Sequence, residues 1–253
     1  MPLPRNLLVG VVAAWVPLVL WADSGASLWQ QRLLGVGTWL LLLVLVRRED
    51  RGTQVQVGVV VAYATVIELI FAGWLGVYVY RLDNVPAFVP PGHGLIYLAA
   101  LALGSTAWVH RHRSGFLLAT VVPVGCWALW GVTVADRPDV LGAFWFGCLL
   151  LFLWKGRSPL LYGGALVVVT YLELIGTSLG TWAWQHSDPT GLVSIGNPPS
   201  GIAGGYAFFD AAALFVAPRL LIRWDRRRLD RAGQNQPGCV SSDVVSKLSR
   251  SVS

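Results

Sequence analysis

The chain has 253 residues, of which 55% are hydrophobic and only 13% are charged, and its mean hydropathy is +0.60. This composition excludes an ordinary water-soluble domain and indicates a membrane protein. The net charge of +6 comes from short basic clusters between apolar stretches. Because that placement is typical of membrane topology rather than of a nucleic-acid groove, we expect no nucleic-acid partner.

Eight apolar stretches are candidates for membrane-spanning helices, which need about 20 apolar residues each. They cover about residues 6–21, 33–46, 55–80, 95–109, 116–134, 140–154, 160–184 and 202–222. The first, behind Arg5, also fits a cleavable signal peptide. We expect it to be a retained helix, because it completes an even set of spans.

Basic residues mark one end of these spans, since they occur at Arg5 and after the second, fourth, sixth and eighth spans. Cytoplasmic loops carry the excess of Lys and Arg, so we expect both termini in the cytoplasm. The predicted fold class is all-α, a multi-pass protein of the cell membrane with about eight transmembrane helices in a tandem parallel 4+4 repeat. The predicted domains are residues 1–113 and 114–228, one four-helix repeat each, and 229–253, a disordered cytoplasmic tail.

A motif that occurs twice supports the repeat. Thr-Val-Ile-Glu-Leu-Ile at residues 65–70 matches Thr-Tyr-Leu-Glu-Leu-Ile at residues 170–175. Both are followed by Leu-Gly-x-aromatic-x-aromatic, at residues 75–80 and 179–184. A segment with a double proline comes next in both copies, and we expect it to be non-helical and on the outer face, either as a lid or as a partly re-entrant loop.

Three carboxylates lie inside predicted spans, namely Glu68, Glu173 and Asp210. In continuous helices, Glu68 and Glu173 would lie about 16–18 Å from the outer helix ends, near the middle of the bilayer. A charged carboxylate there costs several kcal/mol, so we expect neutral acids that donate or shuttle a proton. We predict all three as catalytic residues, with interhelical hydrogen bonding as the structural alternative and an outer vestibule as another setting for Asp210.

Polar and small residues share a helical face with Glu173, and that face is more polar than its counterpart around Glu68. The second copy is therefore predicted to carry more of the chemistry, and the glycines near both glutamates are predicted to allow close helix approach. His93, at the outer interface, is a candidate substrate-binding residue, and the alternative is that it caps a helix or is exposed to solvent. The predicted substrate-binding residues are Thr170, Thr177, Trp182, Trp184 and His93.

The sequence indicates neither a metal site nor a cofactor. Its three cysteines, Cys126, Cys148 and Cys239, form no CxxC pair and have no metal-ligand spacing with histidine. No nucleotide-binding or hydrolase motif is present. The expected partner is a membrane lipid or an apolar small-molecule substrate, and the oligomeric state is left open.

The pattern Glu173-x-x-Gly176-x-x-x-Gly180-x-Trp182-x-Trp184 resembles a helix motif of bacterial carotenoid hydratases of the bisanhydrobacterioruberin type, which are polytopic membrane proteins. The similarity covers about a dozen residues per copy. The first copy has Phe71 where the second has Gly176. The resemblance implies acid-catalysed addition of water to an isoprenoid double bond, a reaction that a protonated carboxylic acid in an apolar cavity suits.

Two functions follow from these patterns. The first is a membrane-embedded enzyme acting on an isoprenoid or other lipid, with Glu173 and Glu68 as acid and base and Asp210 assisting. The second is a proton-coupled transporter or lipid flippase, in which the paired glutamates bind protons or substrate between the repeats. A scaffold whose glutamates only join helices is a third interpretation.

Overall fold

The computed structural model describes residues 3–234, with side chains to residue 227, and this part of the chain is mostly helical. The helices are α1 (Arg5–Ser24), α2 (Leu28–Val46), α3 (Arg51–Glu68), α4 (Val89–Gly104), α5 (Ala107–Arg111), α6 (Arg113–Thr133), α7 (Val140–Lys155), α8 (Pro159–Ser178) and α9 (Ala203–Gln234). A π-helical turn, Leu69–Trp74, continues α3, and two short strands are β1 (Tyr78–Tyr80) and β2 (Trp182–Trp184).

The surface of the bundle is apolar, as expected for a membrane protein. Within the described residues, six helices are long and apolar enough to cross a bilayer, and α4 and α7 are shorter apolar helices. Large apolar side chains are widely exposed, including Trp21 (67%), Trp74 (80%) and Trp154 (72%). Exposed apolar surface on this scale is typical of contact with lipid, and tryptophans near helix ends are typical of membrane interfaces.

The described part of the chain divides into two units, with the boundary between Ala217 and Pro218. The first contains α1 to α8, both strands and the beginning of α9. Most of the predicted tail, residues 235–253, lies outside the described residues. The tail was predicted to begin at residue 229, but α9 is still helical there and continues to Gln234.

The core of the first unit is built on α4 and α8. Helix α4 packs against α1, α2, α3 and α8, and its contact with α8 is the most extensive between any two described helices. Gly164 makes that contact possible, because a Cβ atom at this position would overlap the backbone of Ala100. Helix α4 is buried along most of its length, so its 16 residues need not match the thickness of the bilayer.

Several helix ends follow from local sequence. Helix α2 begins five residues before its predicted start at residue 33, because Ser27 and Gln30 form a reciprocal capping box. Helix α4 also begins early, at Val89, since Pro90 and Pro91 fit the first helical turn, where a missing N–H costs nothing. The double-proline segment of the first copy, which we predicted to be non-helical, is therefore helical from Val89 onwards.

The predicted third and seventh spans are too long. Helix α3 with its π-helical turn ends at Trp74 and α8 ends at Ser178, so the aromatic residues at 78–80 and 182–184 are not helical. Gly76 (φ +61°) and Gly180 (φ +68°) adopt the left-handed conformation that turns the chain out of the helix. A Cβ atom at either glycine would meet open space, so their role is this turn and not the close helix approach that we predicted.

The two strands pair with each other and correct the predicted depth of the glutamates. Strands β1 and β2 are antiparallel, with Tyr78 opposite Trp184 and Tyr80 opposite Trp182. The chain therefore folds back towards each helix instead of rising away from it. The estimated 16–18 Å between each glutamate and the aromatic end of its span does not apply, because these aromatic side chains contact the glutamates.

The turn between α6 and α7 holds the segment that follows β2. Asp139 is buried, and its carboxylate accepts hydrogen bonds from the backbone N–H groups of Gly142 (2.9 Å), Gly196 (2.9 Å) and Ser200 (2.7 Å). Arg137 donates from the same turn to the carbonyl groups of Trp184, Gln185 and Ile195. Burial lowers the pKa of the Arg137 guanidinium, and the nearby charge of Asp139 opposes that shift.

Replacing Asp139 with Ala should strongly destabilise this unit. Three buried N–H groups would lose their acceptor, at about 1–3 kcal/mol for each group left unpaired. We expect a clear fall in the midpoint of thermal unfolding in detergent, followed by tryptophan fluorescence. Asp136→Ala, which removes an exposed carboxylate from the same turn, should leave the midpoint nearly unchanged. Equal midpoints for the two variants would contradict the assigned role of Asp139.

Candidate functional site

Glu68, the last residue of α3, is 7% exposed and has three polar partners. Its Oε2 accepts hydrogen bonds from the hydroxyl groups of Tyr78 (2.8 Å) and Tyr80 (2.9 Å). Its Oε1 lies 3.0 Å from Nε2 of His93. These contacts satisfy the carboxyl group in an apolar bundle, where an unpaired carboxylate would be very costly.

Glu173, in the last turns of α8, is 5% exposed and has a different set of donors. Its Oε2 accepts hydrogen bonds from the indole N–H groups of Trp182 (3.0 Å) and Trp184 (3.1 Å). No second donor contacts Oε1 among the residues that the structure describes. An indole nitrogen only donates, so a proton on this carboxyl group belongs on Oε1.

The four donors on β1 and β2, Tyr78, Tyr80, Trp182 and Trp184, form an aromatic quartet between the two glutamates. Ring centroids are 4.5 Å apart for Tyr78 and Trp184, and 6.1 Å apart for Tyr80 and Trp182. In each strand the two aromatic side chains are two residues apart, so they point to the same face. The strand pair therefore places two donors on each glutamate.

Gly176 has a specific role beside Glu173. A Cβ atom at this position would overlap the indole ring of Trp182, so glycine is needed for that ring to lie against α8. In the first copy, the smaller Tyr78 stands at the position of Trp182 and donates to its glutamate, and Phe71 stands at the position of Gly176. The sequence difference between the copies thus follows from the size of the aromatic donor.

Both glutamates line one cavity of about 280 Å³. His93 and all members of the aromatic quartet also contribute to its wall. The remaining lining is mainly apolar and rich in aromatic rings, and it includes Trp15, Tyr63, Phe71, Trp145, Tyr206 and Phe209. A mostly apolar cavity with a few convergent polar groups is the usual form of a small-molecule site.

His93 is part of this site rather than a solvated residue. It lies in the second turn of α4, is 6% exposed and packs its ring against Tyr206 and Phe209. Its Nδ1 is buried and has no hydrogen-bond partner among the described residues. A ring nitrogen of histidine either donates or accepts according to the tautomer, so Nε2 of His93 and Oε1 of Glu68 can pass a proton between them.

Other predicted site residues lie away from the cavity. Thr170 and Thr177 are not among the described residues that line it, and the Thr177 hydroxyl donates to the backbone carbonyl of Glu173. Asp210 is buried at 4% exposure, but it is not part of the cavity wall either. Trp182 and Trp184 contact Glu173 from a strand and not from the predicted helical face.

Three tyrosines of the site, Tyr78, Tyr80 and Tyr206, were not predicted from the sequence. The recurring aromatic-x-aromatic pattern was the available signal for the first two, but it was interpreted as the end of a helix. The richer set of hydrogen bonds also belongs to Glu68, the copy whose helical face looked less polar. The comparison of helical faces favoured the copy with Glu173, because it did not include the hydrogen-bond donors, which lie on the strands.

None of the protein-family models, curated proteins or solved structures compared with this chain matches it.

Gly176→Ala should displace the Trp182 ring from Glu173. Overpacking of a fixed ring costs roughly 1–3 kcal/mol, so we expect a lower unfolding midpoint and a changed tryptophan emission spectrum. Gly58→Ala is the matched control, since a Cβ atom on that α3 glycine would meet open space. It should be neutral or stabilising by up to about 1 kcal/mol. An unchanged emission spectrum in Gly176→Ala would show that Trp182 does not need this glycine.

Proposed function

We propose that this protein is an intramembrane enzyme that adds water to a carbon–carbon double bond of an isoprenoid or related lipid. The observation that carries the proposal is the single, mainly apolar cavity with Glu68 and Glu173 in its wall. A carboxylic acid shielded from water keeps its proton at neutral pH and is therefore available as the general acid that protonates an alkene. Acid and base are both available in the same cavity.

The size and lining of the cavity support an apolar substrate. Its volume of about 280 Å³ is near the lower limit of about 300 Å³ for small-molecule sites, so it suits one end of a long chain rather than a whole large lipid. Protonation of an alkene produces a carbocation. Aromatic faces such as those of Trp145 and Tyr206 stabilise a cation by their quadrupoles.

Glu173 is the proposed general acid. Its Oε2 is fixed by two indole N–H groups, which leaves the proton on Oε1. No cationic side chain in the described part of the chain pairs with it, so the neutral acid is favoured over the anion. In the proposed step, this proton moves to one alkene carbon, and the positive charge develops on the neighbouring, more substituted carbon.

Glu68 and His93 form the proposed base. Two hydroxyl groups donate to Glu68, and Nε2 of His93 lies within hydrogen-bond distance of its other oxygen. A water molecule adds through its oxygen to the carbocation, and one of its protons passes to the Glu68–His93 pair. The net reaction joins the alkene and one water molecule to give an alcohol. At the end of this step Glu173 has lost one proton and the Glu68–His93 pair has gained one.

We further propose the finer membrane architecture. The support consists of the six long apolar helices, the two shorter ones, and the matching order of glutamate, positive-φ glycine and aromatic strand in both copies. The antiparallel pairing is centred on Val79 and Ala183, as two copies related by a twofold axis would require. Eight spans in two parallel repeats, both termini in the cytoplasm and a cell-membrane location complete this proposal.

A proton-coupled transporter or lipid flippase is the second candidate. The observation that favours it is that two carboxyl groups at matching positions of the two copies share one cavity. Such a pair suits binding of protons or of a substrate between repeats. An enzyme changes its lipid chemically in detergent, whereas a transporter requires a sealed vesicle.

Glu173→Gln should abolish the reaction while preserving the fold. Glutamine keeps a carbonyl oxygen for the two indole donors but has no proton to give, and general acid catalysis contributes about 10²–10⁴-fold. Lipid extracts of a host that lacks the protein, or carries the wild type or the variant, would be compared by mass spectrometry. We expect a precursor to accumulate with Glu173→Gln that differs from the wild-type product by the mass of one water.

Asp23→Asn is the matched control, because Asp23 is a fully buried carboxylate outside the cavity wall. It should leave the lipid products unchanged. Glu68→Gln tests the base and should also accumulate the precursor. An identical lipid inventory with and without the protein would overturn the enzyme proposal, and uptake into sealed vesicles would then test the transporter.

A further inference from the structure

A second opening, a groove between α7, α8 and α9, plays no part in the proposed reaction. Its volume is about 400 Å³, within the range of about 300–1,000 Å³ that ligand sites occupy. Among the described residues, only Phe208 lines both this groove and the cavity that contains Glu68 and Glu173. All of its lining residues belong to the first unit. The groove is therefore a separate candidate site.

The packing of α7 against α9 accounts for the groove. A Cβ atom at Gly204, in the first turn of α9, would overlap the backbone of Trp145 in α7, so the two helices touch there. Further along both helices, the ring centroids of Phe152 and Phe208 are 4.9 Å apart. The distance between two packed helices depends on the side chains at the contact. The aromatic rings thus hold the helices apart beyond the glycine, and a groove remains between them.

The groove is long and mainly apolar. Its residues on α7 and α9 recur at steps of three and four, so each set forms one helical face. Each set spans seven residues, or about 10 Å along the helix axis. They are Cys148, Leu151, Phe152 and Lys155 on α7, and Phe208, Ala211, Leu214 and Phe215 on α9. These dimensions suit an extended hydrocarbon chain, part of which continues into the surrounding bilayer.

One end of the groove is basic. Lys155, the last residue of α7, and Arg157, in the turn that follows, both line the groove and are exposed. Nζ of Lys155 lies 3.8 Å from the ring centroid of Trp154, whose side chain is itself exposed. Within the described part of the chain, no carboxylate is paired with Lys155 or Arg157. Two uncompensated positive charges therefore stand where the apolar walls end.

The turn that carries these two residues is packed against the core. Gly156 lies between them, and a Cβ atom there would overlap the ring of Tyr162 at the start of α8. Tyr162 is only 1% exposed, and its ring centroid is 5.4 Å from that of Phe152. Tyr162 also lines the groove. The backbone that positions both cations is thus fixed by a buried aromatic contact.

We propose that this groove binds one anionic phospholipid, with an acyl chain along α7 and α9 and the phosphate group between Lys155 and Arg157. Such a lipid joins an apolar chain to a phosphate whose charge no cation in the headgroup balances. Arginine binds phosphate through paired N–H donors and lysine binds it as a point charge. Basic pockets between transmembrane helices bind anionic headgroups in this way. The site does not depend on the proposed reaction.

Native mass spectrometry of the purified full-length protein in detergent tests the site. The affinity for the first bound lipid is read from the fraction of protein that carries it, during titration with phosphatidylglycerol or with phosphatidylcholine of the same acyl chains. We expect phosphatidylglycerol to bind more tightly. Replacing both Lys155 and Arg157 with Ala should weaken its binding by about tenfold or more, because each basic residue near a membrane surface contributes to attraction of anionic lipid.

The matched control replaces Arg47 and Arg48 with Ala, which removes the same charge from exposed positions after α2. It should leave the affinity for phosphatidylglycerol within about twofold of the wild type. Ala211→Phe tests the apolar part, since it fills the groove without changing charge, and it should also weaken binding. Ala62→Phe, at an exposed position on α3 outside both openings, is its control.

Several outcomes would overturn the site. They are equal affinity for the two lipids, unchanged binding after loss of Lys155 and Arg157, and equal weakening in the Arg47 and Arg48 control, which would indicate lipid bound anywhere on the surface. Displacement of the lipid by an equal concentration of glycerol phosphate would show a phosphate site without a chain site. Unchanged binding in Ala211→Phe would place the chain elsewhere. Since the titration involves neither glutamate, failure of the hydratase proposal would leave this result intact.

Discussion

The structure depends on satisfying two carboxyl groups inside an apolar bundle. Among the described residues, neither Glu68 nor Glu173 has a lysine or arginine partner, and each accepts hydrogen bonds from aromatic side chains that follow its helix in the chain. Hydrogen bonds of this kind offset the cost of removing a carboxyl group from water. The positive-φ glycines, the paired strands and the glycine beneath Trp182 all serve that arrangement.

Both glutamates are followed by the same backbone features, a positive-φ glycine and a short aromatic strand, but their hydrogen-bond donors differ. Tyrosine hydroxyls and His93 surround Glu68, and these groups both donate and accept protons. Tryptophan N–H groups surround Glu173, and they only donate. The same strand pair therefore gives one carboxyl group partners that can donate or accept and gives the other partners that can only donate. The two glutamates of one cavity thus differ in the chemistry of their hydrogen-bond partners.

Much of the helical architecture could be predicted from sequence, because long apolar runs and basic clusters are strong local signals. The predicted span at residues 140–154 nearly coincides with α7, and Glu68 and Glu173 were identified from burial cost and recurrence. The strands were missed because Tyr78–Tyr80 and Trp182–Trp184 are apolar enough to extend a helical pattern. The contacts of Asp139 and His93 join residues distant in sequence, and a one-dimensional pattern contains no such information.

The pairing of β1 with β2 also limits how the chain can change in length. Side chains alternate between the two faces of a strand, so inserting or deleting one residue between Gly76 and Tyr78 would turn both tyrosines away from Glu68. The same holds between Gly180 and Trp182. Substitutions among aromatic residues leave the alternation intact, whereas a change of one residue in length removes both donors together. The spacing of these segments is thus more constrained than the identity of their side chains.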